Sequence, residues 1–170
     1  MKKLVFILTT FVALAFSNTA IAQKTIVDIA VSNDNFSTLV TALKAADLVG
    51  ALQGDGPFTV FAPTNDAFAK VDADALASLL QPENKKALAN VLTYHVIPSK
   101  LMAADVVAAL KANDGKVEVK ALNGQTLTVM SKEGKIWLKD QANNYSEIVA
   151  TDVAGSNGVI HVIDTVVMPK

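Results

Sequence analysis

The sequence predicts a single α+β domain, with helices in the first half and an antiparallel sheet in the second. Between residues 24 and 112 the apolar residues recur at helical spacing, whereas from Lys116 onward they alternate with polar residues, as in a strand. Turn signals such as Asn123-Gly124 separate the alternating runs. Helices first and strands second are typical of the α+β class.

The first 22 residues have the layout of a secretory signal peptide. Two lysines precede an apolar run from Leu4 to Phe16, and Ala20-Ile21-Ala22 supplies the small-residue cleavage pattern. The apolar run has 13 residues, which is short of the ~20 that span a bilayer. We therefore predict cleavage after Ala22, one mature domain of residues 23–170, and a periplasmic or extracellular location.

The helical half opens with an amphipathic helix, whose inner face consists of Phe36, Leu39, Val40 and Leu43. Asp47 is expected to cap a short further turn that runs to Leu52. Gly54-Asp55-Gly56-Pro57 then breaks the helical pattern. The apolar, β-prone run Phe58–Ala62 predicts a buried strand.

Capping residues predict the helices that follow this strand. Thr64 and Asp72 are both good N-cap residues, and Pro82 fits the first turn of another helix. Tyr94–Pro98 is expected to be extended and to end at its proline. Leu101–Lys111 is rich in alanine and predicts a last helix.

Three hairpins are predicted in the second half. Asn123-Gly124 is expected to form a tight turn with both residues at positive φ, and Glu133-Gly134 forms a second turn. The third hairpin joins Ile148–Val153 to Val159–Val167 around Ser156-Asn157-Gly158. The strands from Lys116 onward should therefore form an antiparallel meander.

Composition excludes several classes of function. All 15 basic residues are lysines, and the net charge is −1. Because arginine supplies the bidentate contacts to guanine and phosphate, its absence argues against a nucleic-acid partner. The chain has no cysteine, so it forms no disulfide, thiolate metal site or catalytic thiol.

Catalysis and metal binding are not expected. The two histidines are too few for the three protein ligands of a usual catalytic zinc site. Asp164 follows His161 by three residues, which places the two side chains on opposite faces of a strand. Ser156 lacks the spacing of a nucleophile elbow. The sequence therefore predicts no enzyme, no metal and no cofactor.

Three stretches resemble a known family when they are taken together. They are GPFTVFAPTNDAF at residues 56–68, LTYHVIP at residues 92–98 and NGVIHVIDTVVMP at residues 157–169. They resemble the first box, the Tyr-His segment and the second box of the fasciclin domain, in the family's order and with the spacing of one complete domain.

The resemblance implies a β-wedge, formed mainly by the C-terminal half and flanked by the N-terminal helices. It also implies a non-catalytic adhesion or protein-interaction module outside the cytoplasm, whose partner is a protein, matrix or cell-surface component. A single domain binds monovalently, so self-association would be needed for avidity. Because some members of the wider family bind carotenoids, the alternative is a carrier of a hydrophobic small molecule such as a carotenoid or lipid.

Five residues are candidates for the interaction site. Asn65 and Asp66 form either an epitope or the capped start of a helix. Tyr94 and His95 match the Tyr-His segment, which the resemblance links to integrin and matrix contacts in animal members. The alternative for His95 is a core histidine bound to the backbone. Tyr145 lies in a polar loop, and exposed aromatic residues are common interface hot spots.

Overall fold

A computed structural model describes residues 24–170 and confirms the α+β fold. The predicted signal peptide lies outside these residues. The helices are α1 (Ile26–Val31), α2 (Ser37–Ala45), α3 (Val49–Gln53), α4 (Asn65–Ala69), α5 (Ala73–Leu79), α6 (Lys85–Tyr94) and α7 (Ala103–Ala112). The strands are β1 (Phe58–Pro63), β2 (Val96–Ile97), β3 (Lys116–Lys120), β4 (Thr126–Lys132), β5 (Lys135–Lys139), β6 (Tyr145–Gly155) and β7 (Gly158–Ile163).

The strands form one sheet in the order β2-β1-β7-β6-β5-β4-β3. Strands β3 to β7 form the predicted antiparallel meander. In addition, β7 pairs in parallel with β1, with Phe58 opposite Gly158 and Pro63 opposite Ile163. The parallel pair brings the strand of the helical half into the centre of the sheet.

The capping predictions hold for two helices and fail for one. The Thr64 hydroxyl accepts a hydrogen bond from Ala67 N at 3.2 Å, and the Asp72 carboxylate accepts from Asp74 N and Ala75 N at 3.0 Å each. Asp47, by contrast, is not the cap of α3, because Leu48 lies at that position. Asp47 has a φ of 60° and lies in the turn after α2. Asp tolerates this left-handed conformation better than most residues.

The segment around Tyr94 is helical, so the prediction of an extended Tyr94–Pro98 was wrong in its first half. Helix α6 includes Tyr94, and His95 keeps the right-handed helical conformation at the C-cap. The strand comprises Val96 and Ile97 alone. The last helical turn is retained because it directs both Leu92 and Tyr94 into the core, where 3% and 0% of their surfaces are exposed.

The two predicted Gly turns differ in their conformation. At Asn123-Gly124 positive φ occurs at Gly124 but not at Asn123, whose side chain accepts a hydrogen bond from Gln125 N at 3.0 Å. The loop is therefore longer than the two-residue turn predicted there. Glu133 and Gly134 have φ of 55° and 76°, so this pair makes the tight turn instead.

Two hydrophobic clusters fill the domain. The first lies between helices α1 to α6 and the β1–β7 part of the sheet, and its largest aromatic members are Phe36 and Phe68. The second lies between α7 and the meander and includes Phe61, Tyr94 and Leu127. In residues 24–170 none of the helices has the length and apolarity that crossing a membrane requires.

The side chain of Asn157 ties the N-terminal helices to the turn between β6 and β7. Its carbonyl oxygen accepts from Ile26 N at 3.0 Å, and its amide nitrogen donates to Leu52 O at 2.8 Å and Gly54 O at 2.9 Å. One residue of the second box thus satisfies backbone groups that lie more than 100 positions away along the chain.

Candidate interaction surface

Asn65 occupies the first position of α4 and joins it to the start of α2. Its side-chain oxygen accepts hydrogen bonds from Thr38 N at 3.0 Å and from the Ser37 hydroxyl at 3.2 Å, while its amide donates to Asp34 O at 2.8 Å. Asp66 is exposed and lies in the first turn of α4, where a negative charge suits the helix dipole. The hydrogen bonds of Asn65 give this residue a structural role in the fold.

Replacing Asn65 with alanine is expected to destabilise the domain by about 2 kcal/mol, because the backbone groups of Asp34 and Thr38 lose their partner. The measurement is urea unfolding at neutral pH. Asp66→Ala is the matched control on the adjacent, exposed residue, and its effect should stay within about 0.5 kcal/mol. Equal losses in both variants would contradict the structural role of Asn65.

Tyr94 and His95 lie in the interior. Tyr94 donates from its hydroxyl to Thr126 O at 2.9 Å, and burial, together with the charge of Asp140, raises the pKa of Tyr94 to about 12. His95 is 3% exposed and its Nδ1 lies 2.8 Å from Val91 O, while its Nε2 accepts from Val167 N at 3.2 Å. Neither side chain can contact a partner directly.

The arrangement of titratable groups offers no metal site in the part of the chain that the structure describes. Residues 24–170 contain no group of three or more His, Cys, Asp or Glu side chains that could hold an ion. His161 is 1% exposed, its Nε2 lies 2.7 Å from Leu101 O, and its Nδ1 accepts from Asp152 N at 3.3 Å. The ring nitrogens of both histidines are therefore occupied by hydrogen bonds with backbone groups.

Tyr145 is the exposed aromatic candidate, with 49% of its surface accessible. It follows a turn that the buried carboxylate of Asp140 organises. Asp140 accepts from Asn144 N at 2.8 Å, from the Asn144 side chain at 3.0 Å and from Met168 N at 3.0 Å. The Lys139 ammonium lies 5.7 Å from the centre of the Tyr145 ring, within cation–π range. The turn therefore fixes the backbone from which this exposed ring projects.

Beside Tyr145 lies an open groove of about 620 Å³, which we call the Tyr145 groove. Lys70, Val71, Asp72 and Ala75 form one wall, and Thr165, Val166 and Met168 line it from the C-terminal segment. Asn143 and Asn144 accompany Tyr145 on the other wall. The groove thus combines apolar side chains with amides and charges, a mixture typical of protein-contacting surfaces.

An ion pair fixes one side of the Tyr145 groove. The Lys70 ammonium lies 3.1 Å from the Asp164 carboxylate and donates to the Thr165 hydroxyl at 3.3 Å. Burial of the Asp164 carboxylate would raise its pKa, but hydrogen bonds from Glu147 N, Lys70 and Thr165 outweigh it and hold this pKa below its usual value. Asp164 therefore stays ionised at neutral pH and retains Lys70.

The five candidate residues do not form one surface. Tyr94 and His95 are buried, Asn65 is occupied within the fold, and Asp66 and Tyr145 are exposed. Sequence reasoning missed Asp140, although an aspartate followed by the polar run Gln141-Ala142-Asn143-Asn144 is the kind of signal that indicates a side-chain-stabilised turn.

The apolar cavities of the core are small. One, lined by Phe68, Leu92 and His95 among others, holds about 10 Å³, and another, lined by Leu39, Leu52 and Val60 among others, holds about 20 Å³. Sites for drug-sized ligands measure ~300–1,000 Å³. The core described in residues 24–170 has no space at these two places for a carotenoid or lipid.

Comparison with protein families gives a match to the fasciclin domain over residues 34–169. The chain is 52% identical to protein sll1483 of Synechocystis sp., over 85% of this chain and 73% of that protein. It is 35% identical to transforming growth factor-beta-induced protein ig-h3 of Sus scrofa, over 85% of this chain but 19% of that protein. The cell surface glycolipoprotein MPB83 of Mycobacterium bovis is 33% identical, over 87% of this chain and 62% of its own length.

The fold also matches a solved structure. A FAS1 domain pair from the insect cell adhesion molecule fasciclin I superposes with a TM-score of 0.73, over 84% of this chain and 50% of that one. Sequence identity in this match is 20%, so it supports the fold alone.

Proposed function

The chain belongs to the fasciclin domain family, and from this membership we propose that it is a non-catalytic interaction module that binds a protein at a cell surface, outside the cytoplasm. A similar protein, MPB83 of Mycobacterium bovis, is named a cell surface glycolipoprotein, which points to this location. The predicted signal peptide of residues 1–22 is consistent with such a location.

The Tyr145 groove is the observation that carries this proposal. Its aromatic ring is half exposed, and a buried carboxylate at Asp140 positions the turn before it. Because the turn before the ring is already ordered, partner binding needs to order little additional backbone, which favours affinity. On the opposite side, the ion pair of Lys70 and Asp164 positions the Lys70 ammonium at the groove. We therefore assign partner contact to Tyr145 and the groove residues beside it.

Of the five candidates, two are thus kept as interaction residues. They are Tyr145 and Asp66, which is exposed in the first turn of α4. Tyr94 and His95 act through the fold, because they fix the end of α6 against β4 and the C-terminal segment. The carrier alternative is not proposed, since the two cavities within the core are far below ligand size. The spaces of ligand size, the Tyr145 groove and one of about 410 Å³ beside Val107 and Leu110, are open at the surface and do not enclose a ligand.

Replacing Tyr145 with alanine is expected to weaken binding about 30-fold, because a central aromatic hot spot contributes ~2 kcal/mol. The measurement uses beads coated with the protein as its own host exports it, applied to cells of that host. Retention should saturate, fall when the same protein is added in solution, and disappear after protease treatment of the cells.

Val31→Ala is the matched control, because Val31 is 56% exposed and lies on α1, outside the Tyr145 groove. It should leave bead retention unchanged. Equal retention by the Tyr145→Ala and parent proteins would contradict partner contact at the Tyr145 groove. A native mass spectrum of the same preparation reports a bound small molecule, and added mass there would support the carrier instead.

A further inference from the structure

Strand β3 is one edge of the sheet, and its neighbour within residues 24–170 is β4 alone. Its side chains alternate, with Lys116, Glu118 and Lys120 exposed and Val117 and Val119 half-buried against the second hydrophobic cluster. An edge strand presents backbone groups that can pair with another chain.

The hydrogen bonds around β3 show which of its backbone groups face outward. Ser131 N donates to Gly115 O at 2.9 Å, and Ala121 N donates to Gln125 O at 2.8 Å. Because alternate residues bond across an antiparallel pair, the odd-numbered residues of β3 face β4. The N–H and C=O groups of Glu118 and Lys120 therefore point away from the sheet.

The open part of this edge is short and has defined ends. At one end Lys116 N donates to Asn113 O at 3.0 Å, and at the other Leu122 N donates to Val96 O at 2.7 Å. Between them, in the part of the chain that the structure covers, the backbone groups of Glu118 and Lys120 have no hydrogen-bond partner. The edge thus offers two donors and two acceptors that are accessible to a second chain.

We propose that two copies of this chain pair through β3 in an antiparallel, two-fold arrangement centred on Val119. In this register Glu118 lies opposite Lys120 of the second copy, and the same contact occurs twice by symmetry. All four outward backbone groups of each copy's Glu118 and Lys120 then find partners. On the other face of the sheet, the half-buried Val119 meets Val119 of the second copy and loses its remaining exposure.

Side-chain charges and occupied backbone groups favour this register over registers whose two-fold axis lies at another residue of β3. A two-fold axis at Glu118 would place Glu118 opposite itself and Lys116 opposite Lys120, and like charges directly opposite are destabilising. An axis at Val117 would pair Lys116 with Glu118, but Lys116 N is already bound to Asn113 O. Lysines alone on an edge discourage pairing, whereas the alternation of Lys and Glu here favours one specific pair.

The dimer is independent of the Tyr145 groove and goes beyond the proposed function. A ladder this short is smaller than the ~1,200–2,000 Å² of stable complexes, so association should be weak and depend on protein concentration. Because the cross-strand ion pairs are exposed, salt should weaken it further. Sedimentation equilibrium of the exported protein, at low salt and over rising concentration, is the measurement.

Parent protein should show a monomer–dimer equilibrium. Glu118→Lys and Lys120→Glu should each weaken it about tenfold or more, since each turns two attractive cross-strand pairs into repulsive ones. The combination of both substitutions should restore dimerisation, because the pair forms again with its charges exchanged. Rescue by the double substitution is specific to the register centred on Val119.

Glu83→Lys is the control for the change in net charge that Glu118→Lys makes, because Glu83 is exposed and lies in a 3₁₀ turn distant from β3 in the sequence. It should leave the equilibrium unchanged, as should Tyr145→Ala, and thermal melting of every variant checks the fold. A parent protein that remains monomeric throughout would overturn the proposal. So would single substitutions without effect, or a double substitution that fails to rescue.

Discussion

The Gly158→Ala variant is expected to lose about 3 kcal/mol of unfolding free energy, because the added methyl group has no space between β7 and β1. A Cβ at Gly158 would lie 3.0 Å from Phe58 C and 3.1 Å from Phe58 N, and closer still to Phe58 O. These are backbone atoms of the parallel neighbour, so the contact can be relieved only by separating the two strands. Urea unfolding at neutral pH measures the loss.

Gly50→Ala is the matched control for this substitution. A Cβ at Gly50 meets nothing within 4 Å, and the residue lies within α3, where alanine is favoured over glycine by ~0.5–1 kcal/mol. This variant should therefore be as stable as the parent or slightly more so. If Gly158→Ala unfolded at the same urea concentration as the parent, this result would contradict the close approach of β1 and β7 at Gly158.

His95 is expected to make the domain less stable as the pH falls from about 6.5 towards about 4. Burial lowers the pKa of His95 to about 4, from an ordinary value of 6.5, and the bond to Val91 O and the charge of Asp140 offset this only in part. Between these values the unfolded chain binds a proton that the folded chain does not. The difference amounts to about 3 kcal/mol once the pH reaches the folded-state pKa.

The direction of this stability change and the pH range in which it occurs can be tested by urea unfolding at several pH values between 7 and 4. His95→Gln should be less stable than the parent at pH 7 but should lose much less stability over this range. Tyr94→Phe is the control, because it removes a neighbouring buried hydrogen bond without removing His95. It should keep the slope of the parent, and an unchanged slope in His95→Gln would contradict the prediction.

Carboxylates with a lowered pKa affect the stability of the domain in a different pH range. Hydrogen bonds from Thr25 hold the pKa of Asp28 below its ordinary value, and the pKa of Asp164 is also lowered, because its hydrogen bonds outweigh burial. Their stabilising contribution is lost only as the pH falls below about 4. Loss of stability between pH 6.5 and 4 can therefore be attributed to His95 with little interference from these two groups.

Most features that depend on neighbouring residues were predicted correctly from the sequence. Thr64 and Asp72 cap their helices as expected, because a cap is decided within three or four residues. The alternation after Lys116 gave the meander and its order. The failures at Asp47 and Asn123 are also local, since a left-handed residue and a longer loop satisfy the same sequence signals.

Contacts between segments that lie far apart in the chain could not be predicted from the sequence. The parallel pairing of β1 with β7 joins residues about 100 positions apart, and periodicity carries no signal for it. The same applies to the Tyr145 groove, whose walls come from α4–α5, the turn before β6 and the C-terminal segment. Tyr145 could be recognised as an aromatic residue in a polar stretch, although it is the first residue of β6 and not part of a loop as predicted. Its neighbours Lys70 and Asp164 could not be recognised.

The position of β7 has a consequence for the order in which the sheet can form. Within residues 24–170 it is the last strand in sequence order and yet lies inside the sheet, between β1 and β6. Within the sheet, β7 alone links the β2–β1 pair to the meander, because it pairs with β1 on one side and with β6 on the other. Because pairing across about 100 positions forms slowly, we expect completion of the sheet to be a late step in folding.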